Sequence, residues 1–316
     1  MAHSAFPPVV RIEPAAACNL SCSHCPTGTV QMARGIMKWQ MFEKILEGLR
    51  PHTQEIRAVV LYHGGEPLLN RDLGKMVRHL KSSGIAFVKT VSNGMLLTEE
   101  LVDDLLSSEL DSIEFSLDGE SPEENDLIRR NSSFRVVADR IHHLIAQKRR
   151  VGKTKPHVHI STAQFLQMHS APTRDPEPPG YLVREFSRYN ENEIESFKCT
   201  YAMRWPHMNI DESTYEVFLT GEAQNNKCDH SDSTLTIRWN GDIVACCYDL
   251  TSQMVLGNVT ESTIEEIWSG TEYNRLRSDL ATGQFPSLCS NCNVVKPNAY
   301  LLLKDKSQQA LSIEAA

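Results

Sequence analysis

The sequence lacks any run of about eighteen consecutive apolar residues, so no transmembrane helix is expected. Its first residues, Met1-Ala2-His3-Ser4-Ala5-Phe6-Pro7-Pro8, lack the basic and apolar regions of a secretory signal. There is no basic excess either. With 32 Lys and Arg against 40 Asp and Glu, the net charge is −8, and a nucleic-acid partner is not expected. Internal repeats and low-complexity tracts are missing as well. With no export signal, the 9 cysteines are read as reduced cytoplasmic thiols available for metal or chemistry. The acidic balance would suit a cationic substrate, although solvation of the surface accounts for it equally well.

What the chain has is length and a compact cysteine triplet. Its 316 residues, 41% hydrophobic and 23% charged, can form one large domain and a small appended one. Cys18, Cys22 and Cys25 are spaced C-x3-C-x2-C, directly after the apolar run Val9-Val10-Arg11-Ile12. Thiolates this close in one loop bind an iron–sulfur cluster or zinc more readily than they form disulfides. Three protein ligands would leave one metal position open to a substrate or cofactor.

From residue 9 to about 165, short β-rich runs alternate with amphipathic helical ones. The pattern predicts strands at Val9–Ile12, Ala58–Tyr62, Ala86–Val91, Ile113–Leu117 and Val158–Gln164. Helical spacing falls on Trp39–Leu49, Leu73–Ser82, Glu99–Leu106 and Val136–Arg149. Ser121-Pro122-Glu123-Glu124 reads as a helix start. Such alternation implies a parallel sheet whose active loops follow the strands. A further strand is expected near Ile194–Phe197, and the proline-rich stretch 170–180 reads as a loop or lid. After residue 205 the text changes to short strands, Thr234–Trp239 and Asp242–Ala245, joined by the hairpin turn Asn240-Gly241.

Five further cysteines lie in this second part. Cys228, Cys246, Cys289 and Cys292 can form a closed four-thiolate site from a hairpin and a C-x2-C knuckle, which suits an iron–sulfur cluster or zinc. Cys247 follows a candidate ligand on a strand where neighbours alternate faces, so it cannot easily share that metal. It reads either as a thiol facing the main cavity or as a packed core residue. Cys199 reads as a buried small hydrophobe. His24 is expected to point outward, and His63 to pack against or hydrogen-bond its own loop. Arg204-Trp205-Pro206-His207 can contact substrate or merely connect the two parts.

The cysteine triplet, with Gly64-Gly65-Glu66-Pro67 after the second strand, resembles the radical S-adenosylmethionine (SAM) superfamily. That resemblance implies a partial (β/α)6 barrel over residues 1–205, with a 4Fe–4S cluster on Cys18, Cys22 and Cys25 that holds and cleaves SAM. It implies SAM contacts from Gly64, Gly65, Glu66 and Pro67, from Ser92 and Asn93, and from Ser116 and Asp118 of an S-x-D-G element. Arg129 or Arg130 would meet the SAM carboxylate, and Gln164 would line the same pocket. Cys228, the stretch 238–249 and Cys289-Ser290-Asn291-Cys292 resemble a SPASM domain. No cysteine follows Cys292, which favours the shortened α+β twitch form over residues 206–316 with one auxiliary 4Fe–4S cluster.

Two outcomes are expected of the resulting substrate radical. In radical SAM epimerases a cysteine returns a hydrogen atom from the opposite face, and Cys247 is the catalytic candidate for that role. In the pattern of the dehydrogenase acting on 2-deoxy-scyllo-inosamine, the auxiliary cluster takes an electron instead. Epimerisation of a small sugar, aminocyclitol or nucleoside is the leading expectation, with flavodoxin or ferredoxin as external electron donor. A peptide-modifying maturase is less expected, because the few residues before the first strand leave no room for a leader-recognition domain.

Overall fold

The computed structural model describes residues 5–167, 176–223, 228–290, 292, 294–295 and 299–306. Its strands are β1 (Val9–Ile12), β2 (Ala58–Leu61), β3 (Val88–Ser92), β4 (Ser112–Ser116), β5 (His157–Gln164), β6 (Leu166–Gln167), β7 (Ser196–Tyr201), β8 (Tyr215–Ala223), β9 (Thr234–Ile237), β10 (Asp242–Val244), β11 (Val255–Asn258) and β12 (Ala299–Asp305). Its helices are α1 (Pro26–Thr29), α2 (Trp39–Leu49), α3 (Leu73–Ser82), α4 (Glu99–Ser107), α5 (Pro122–Ile128), α6 (Phe134–Arg150), α7 (Gly180–Phe186), α8 (His230–Ser233), α9 (Ile264–Trp268), α10 (Thr271–Thr282) and α11 (Ser287–Ser290).

Local chemistry sets these elements. In α2, Phe42, Ile45, Leu46 and Leu49 recur at helical spacing and are the buried face. Thr98 caps α4 through Leu101 N, and Ser121 caps α5 through Glu124 N. The carboxylate of Glu124 takes the N–H of Glu120, so only half of a reciprocal capping box forms.

Strands β1, β2, β3, β4, β5 and β7 lie parallel in that order, as strand–helix alternation requires. Along each strand one set of side chains packs beneath the helices: Val10 and Ile12, Val59 and Leu61, Ile113 and Phe115, Val158 and Ile160. The alternate set, including Glu114, Ser116, Ser161, Ala163, Lys198 and Thr200, faces the concave side and lines a cavity. The strand expected near Ile194–Phe197 is β7, Ser196–Tyr201. Pairing from His159↔Ser196 to Gln164↔Tyr201 overrides the polar composition of Lys198, Cys199 and Thr200. Of the proline-rich stretch 170–180, residues 170–175 lie outside the described residues. The chain from 176 to 179 is irregular and leads into α7.

The hairpin of the second part joins the same sheet. β9 pairs parallel with β1, Val9↔Thr234 through Ile12↔Ile237, and β10 and β11 follow antiparallel. The result is a nine-stranded sheet ordered β11-β10-β9-β1-β2-β3-β4-β5-β7. Gly241 occupies the β9–β10 turn at φ +88, where a side chain would be strained. The division at residue 205 stays a proposal about sequence segments, and sheet hydrogen bonding crosses it. A second sheet, β6-β12-β8, packs Phe165, Ala202, Tyr215 and Leu303 together. The Tyr215 hydroxyl reaches Ser23 Oγ at 2.7 Å, which ties this sheet to the cysteine loop.

Glu13, fully buried just beyond β1, joins the two parts. Its Oε1 accepts the N–H of Gly64 at 3.1 Å, and its Oε2 accepts Arg238 Nε at 3.0 Å and Trp239 N at 3.2 Å. His63 Nδ1 stands 3.4 Å from Oε1 as an electrostatic contact rather than an aligned hydrogen bond. Burial would raise the Glu13 carboxyl, but His63 and Arg238 outweigh it and hold the group at about 2. Glu13→Gln leaves Arg238 buried without its counter-charge and is expected to cost about 3–5 kcal/mol. The urea midpoint of the reconstituted protein checks this. Because the native carboxyl is depressed, its contribution is present above the ordinary value of 4.5 and is lost as pH falls toward about 2. The variant should lose that slope.

Candidate iron–sulfur and SAM site

The cysteine loop is held from three sides. Ser21 N donates to the Arg130 carbonyl at 3.1 Å, and Ser23 N to the Ile128 carbonyl at 3.0 Å. Thr27 Oγ1 donates to the Gly64 carbonyl. Cys25 is the N-cap of α1, and its carbonyl accepts from Gly28 N at 2.9 Å. Cys18, Cys22 and Cys25 all line one cavity of ≈ 450 Å³ at the C-terminal ends of the parallel strands. Burial pushes the Cys18 thiol up to about 11 and the Cys22 thiol up to about 12. Bare thiols here would stay protonated, and soft metal ions are what would hold them as thiolates. All nine cysteines are free, so the donor set fits an iron–sulfur cluster.

The Gly64-Gly65-Glu66-Pro67 turn packs directly on residues 15–17, the segment between β1 and that loop. A Cβ at Gly65 would come within 2.2 Å of the Ala15 carbonyl, so only glycine fits. Glu66 N donates to the Ala17 carbonyl at 2.8 Å. The buried Glu66 carboxylate accepts Leu68 N at 2.9 Å, Ser92 Oγ at 2.9 Å and Asn93 N at 2.8 Å. It clamps the loops after β2 and β3 while still lining the cavity, and Pro67 opens the short turn behind it. Asn93 Nδ2 bonds Asn19 Oδ1 at 2.9 Å and approaches Cys18 Sγ at 3.8 Å.

Asp118 and Arg129 form a buried ion pair at 2.5 Å on the cavity wall. Asp118 also accepts Ala163 N at 2.8 Å. Arg130 is exposed and contributes only its carbonyl to the cysteine loop, so Arg129 is the arginine that faces the cavity. His24 turns inward to Asp118 at 3.4 Å and sits edge-on to Phe165, against the expectation that it points outward. Ser116 lines the cavity and accepts from Ser161 Oγ at 3.3 Å. Gln164 does not join them. Its Nε2 bonds the Glu177 carbonyl at 2.6 Å, and β5 presents Ser161, Thr162 and Ala163 instead. The sequence reading missed Tyr62, Glu114, Lys198 and Tyr248, which also line the cavity. Strand alternation could have identified Glu114 and Lys198 as facing inward.

The second thiol group gathers behind this wall. Cys228, Cys289 and Cys292 pack with Val294, Val295, Leu280 and Phe285. Cys289 is pushed up by burial and then by the nearby Cys246, Cys292 and Cys228, so these four share one neighbourhood. His230, two residues after Cys228, was missed. Hydrogen bonding to Cys228, Cys246 and Cys247 pulls its imidazole strongly toward the charged form. Cys247 Sγ lies 3.9 Å from His230 Nδ1, and the cysteine is not among the residues lining the cavity, whereas Tyr248 is. Among the described residues, no three His, Cys, Asp or Glu side chains converge on one point as a single metal ion would need. The apolar wrapping and four thiols fit an auxiliary cluster.

A parallel sheet carrying three thiols beside a cavity, with a second thiol group behind it, defines an iron–sulfur protein of α/β class. The chain is a member of the radical SAM superfamily with a C-terminal SPASM/twitch-like region. Residues 12–159 match the radical SAM superfamily, and residues 228–293 match the SPASM iron–sulfur cluster-binding domain. It is therefore an enzyme of 5′-deoxyadenosyl radical chemistry that uses SAM, a SAM-binding 4Fe–4S cluster and an auxiliary iron–sulfur cluster.

The chain is 24% identical over 307 residues to a tungsten-containing aldehyde ferredoxin oxidoreductase cofactor-modifying protein of Pyrococcus furiosus, covering 88% of this chain and 85% of that one. It superposes on BtrN in complex with AdoMet and 2-DOIA with TM-score 0.57 and 18% identity, covering 91% of this chain and 93% of BtrN. It superposes on Streptococcus suis SuiB bound to precursor peptide SuiA with TM-score 0.61 and 16% identity, covering 86% of this chain and 67% of SuiB. At these identities the two superpositions speak to fold alone. No helix among the described residues is long and apolar enough to cross a membrane.

Replacing Cys18, Cys22 and Cys25 together by Ala should leave about half the reconstituted iron and sulfide and abolish SAM cleavage. Iron and sulfide analysis beside 5′-deoxyadenosine assay checks this. Full iron retention would reassign these thiols.

Proposed function

We propose that this chain is a radical SAM dehydrogenase, oxidising a secondary alcohol of a small substrate and passing one electron to its auxiliary cluster. Cys18, Cys22 and Cys25 hold the SAM-binding cluster in this reading, and Cys228, Cys246, Cys289 and Cys292 hold the auxiliary one. When bound, SAM and its cluster supply a 5′-deoxyadenosyl radical for hydrogen abstraction, and the auxiliary cluster supplies an electron acceptor. The balance is that of an alcohol oxidation: the substrate loses one C–H hydrogen atom, one O–H proton and one electron.

One observation carries the reading. Trp205 and Tyr248 line the cavity with ring centroids 5.2 Å apart, and Tyr248 stacks on His230 at 5.4 Å and 22°. His230 in turn contacts the auxiliary thiols. Tyr248 and His230 therefore lie between substrate space and the auxiliary site, with Trp205 tilted against Tyr248, a short route for an electron. Epimerisation with Cys247 as hydrogen-atom donor is less well supported, because that thiol lies beside His230 and does not border the cavity.

The chain's own residues then position and shield. Glu66, Ser92 and Asn93 fix the loops that would receive the SAM methionine group. The Asp118–Arg129 pair stands ready for its carboxylate, while Trp205, Tyr248 and Leu250 give the cavity an apolar lining. A small sugar, aminocyclitol or nucleoside suits the ≈ 450 Å³ space, with flavodoxin or ferredoxin as external reductant.

Anaerobic turnover against a panel of such alcohols separates the readings. Cys247→Ala is expected to keep ketone formation within about threefold of wild type. Cys289→Ala should still cleave SAM yet lose the ketone. If turnover in deuterium oxide instead gave an inverted product carrying deuterium, and Cys247→Ala stopped it, the epimerase reading would replace this one.

A further inference from the structure

Beside and behind Lys198 on the cavity wall, the chain gathers more positive charge than the local acid neutralises. Lys198 on β7 and Lys89 on β3 both address the same oxygen of Glu114 on β4, with Nζ to Oε2 at 2.7 Å and 3.4 Å. One carboxylate thus serves two ammonium groups across three strands. Arg11 on β1 adds a third cation. Its side chain makes no hydrogen bond or ion pair among the described residues, and its buried Nε has no partner. Lys89 is held below the ordinary lysine value by burial, with Lys198 and Arg11 among the cations that add to the effect.

The other acids of the cavity are already committed. Asp118 pairs with Arg129, and Glu66 accepts from Leu68, Ser92 and Asn93. Lys198 borders the open space beside Glu114, with Lys89 and Arg11 behind it, and the Ser161 and Thr200 hydroxyls border it while donating at 3.3 Å to Ser116 Oγ and at 3.4 Å to the Thr162 carbonyl. The Lys198 side chain is 41% exposed, and its bond to Glu114 uses one of its three donors. The donors that Glu114 leaves free are open to an anionic group from outside the chain.

We propose that Lys198, backed by Lys89 and Arg11 and flanked by Ser161 and Thr200, is a subsite for an anionic group, so that the substrate bears a carboxylate or phosphate. This rests on the dehydrogenase reading for where substrate sits. It is opposite in sign to the cationic substrate that the net charge of the chain would also suit. Glu114 holds the two lysines at a common point and sets how much positive charge remains for the ligand.

Binding tests this without turnover, so a failed oxidation and a failed subsite are told apart. The reconstituted, SAM-loaded enzyme is titrated calorimetrically at low ionic strength with inorganic phosphate, glycolate and ethanolamine. Phosphate or glycolate should saturate, with the tighter of the two identifying the group, and ethanolamine should not. Lys198→Gln should weaken the anion by about tenfold or more, Lys198→Arg should restore most of it, and Glu114→Gln should tighten it. SAM affinity measured on the same samples should be unchanged, which excludes a folding defect. Saturable ethanolamine binding that Glu114→Gln abolishes would overturn the proposal. So would anion binding indifferent to Lys198, or no anion binding at all.

Discussion

One buried carboxylate fastens the molecule together. Glu13 lies where β1 gives way to the cysteine loop, and its two oxygens engage chain segments that are otherwise unconnected. Oε1 holds the Gly64 amide at the start of the glycine turn, and Oε2 holds Arg238 and Trp239 at the end of β9. The glycine turn and the hairpin that leads to Cys246 are therefore positioned by the same side chain. A charge buried this fully would be expensive without Arg238, and Arg238 would be equally expensive without it. The pair thus acts as a specificity device: the hairpin docks where its arginine finds this acid, next to β1.

Much of this was legible because it is local. C-x3-C-x2-C, Gly64-Gly65-Glu66-Pro67 and Cys289-Ser290-Asn291-Cys292 place their donors within a few residues, so spacing alone announces the chemistry. Period-2 and helical patterns located β1, β2 and α2 because their apolar faces are unbroken. What escaped is what only folding brings together. Arg238 meets Glu13 across 225 positions, and β9 joins β1 through backbone pairing that no side-chain pattern encodes. Lys89, Glu114 and Lys198 come from three strands, and each alone reads as an ordinary polar strand residue. His230 reads in the sequence as a lone polar residue, and only folding brings Cys246 and Cys247 to its ring. The resemblance puts Gln164 in the cavity, whereas β5 presents Ser161, Thr162 and Ala163 there and the Gln164 amide is taken by the Glu177 carbonyl.

The cavity wall has two characters that answer two needs. Near the cysteine loop the charges are matched: Asp118 with Arg129, and Glu66 with backbone amides and Ser92. Farther along β3, β4 and β7 the matching is incomplete and positive. Between them Trp205 and Tyr248 form an aromatic face that is neither, and behind that face lie His230 and the auxiliary thiols. A substrate anchored by its charge at one end would present its carbon framework to the aromatic face. Anchoring by a remote group in this way spends binding energy on orientation, which is what a hydrogen abstraction requires.

The parallel pairing of β9 on β1 also governs how this chain can be cut or recombined. Severing it near residue 205 would strip β1 of one of its two neighbours and bare a ladder of amides and carbonyls from Val9 to Ile12. The same cut would remove Arg238 and strand Glu13 in an apolar interior. A shortened fragment would therefore expose an adhesive edge and self-associate, and transplanting the hairpin onto another scaffold would need a host whose first strand ends in a matching acid.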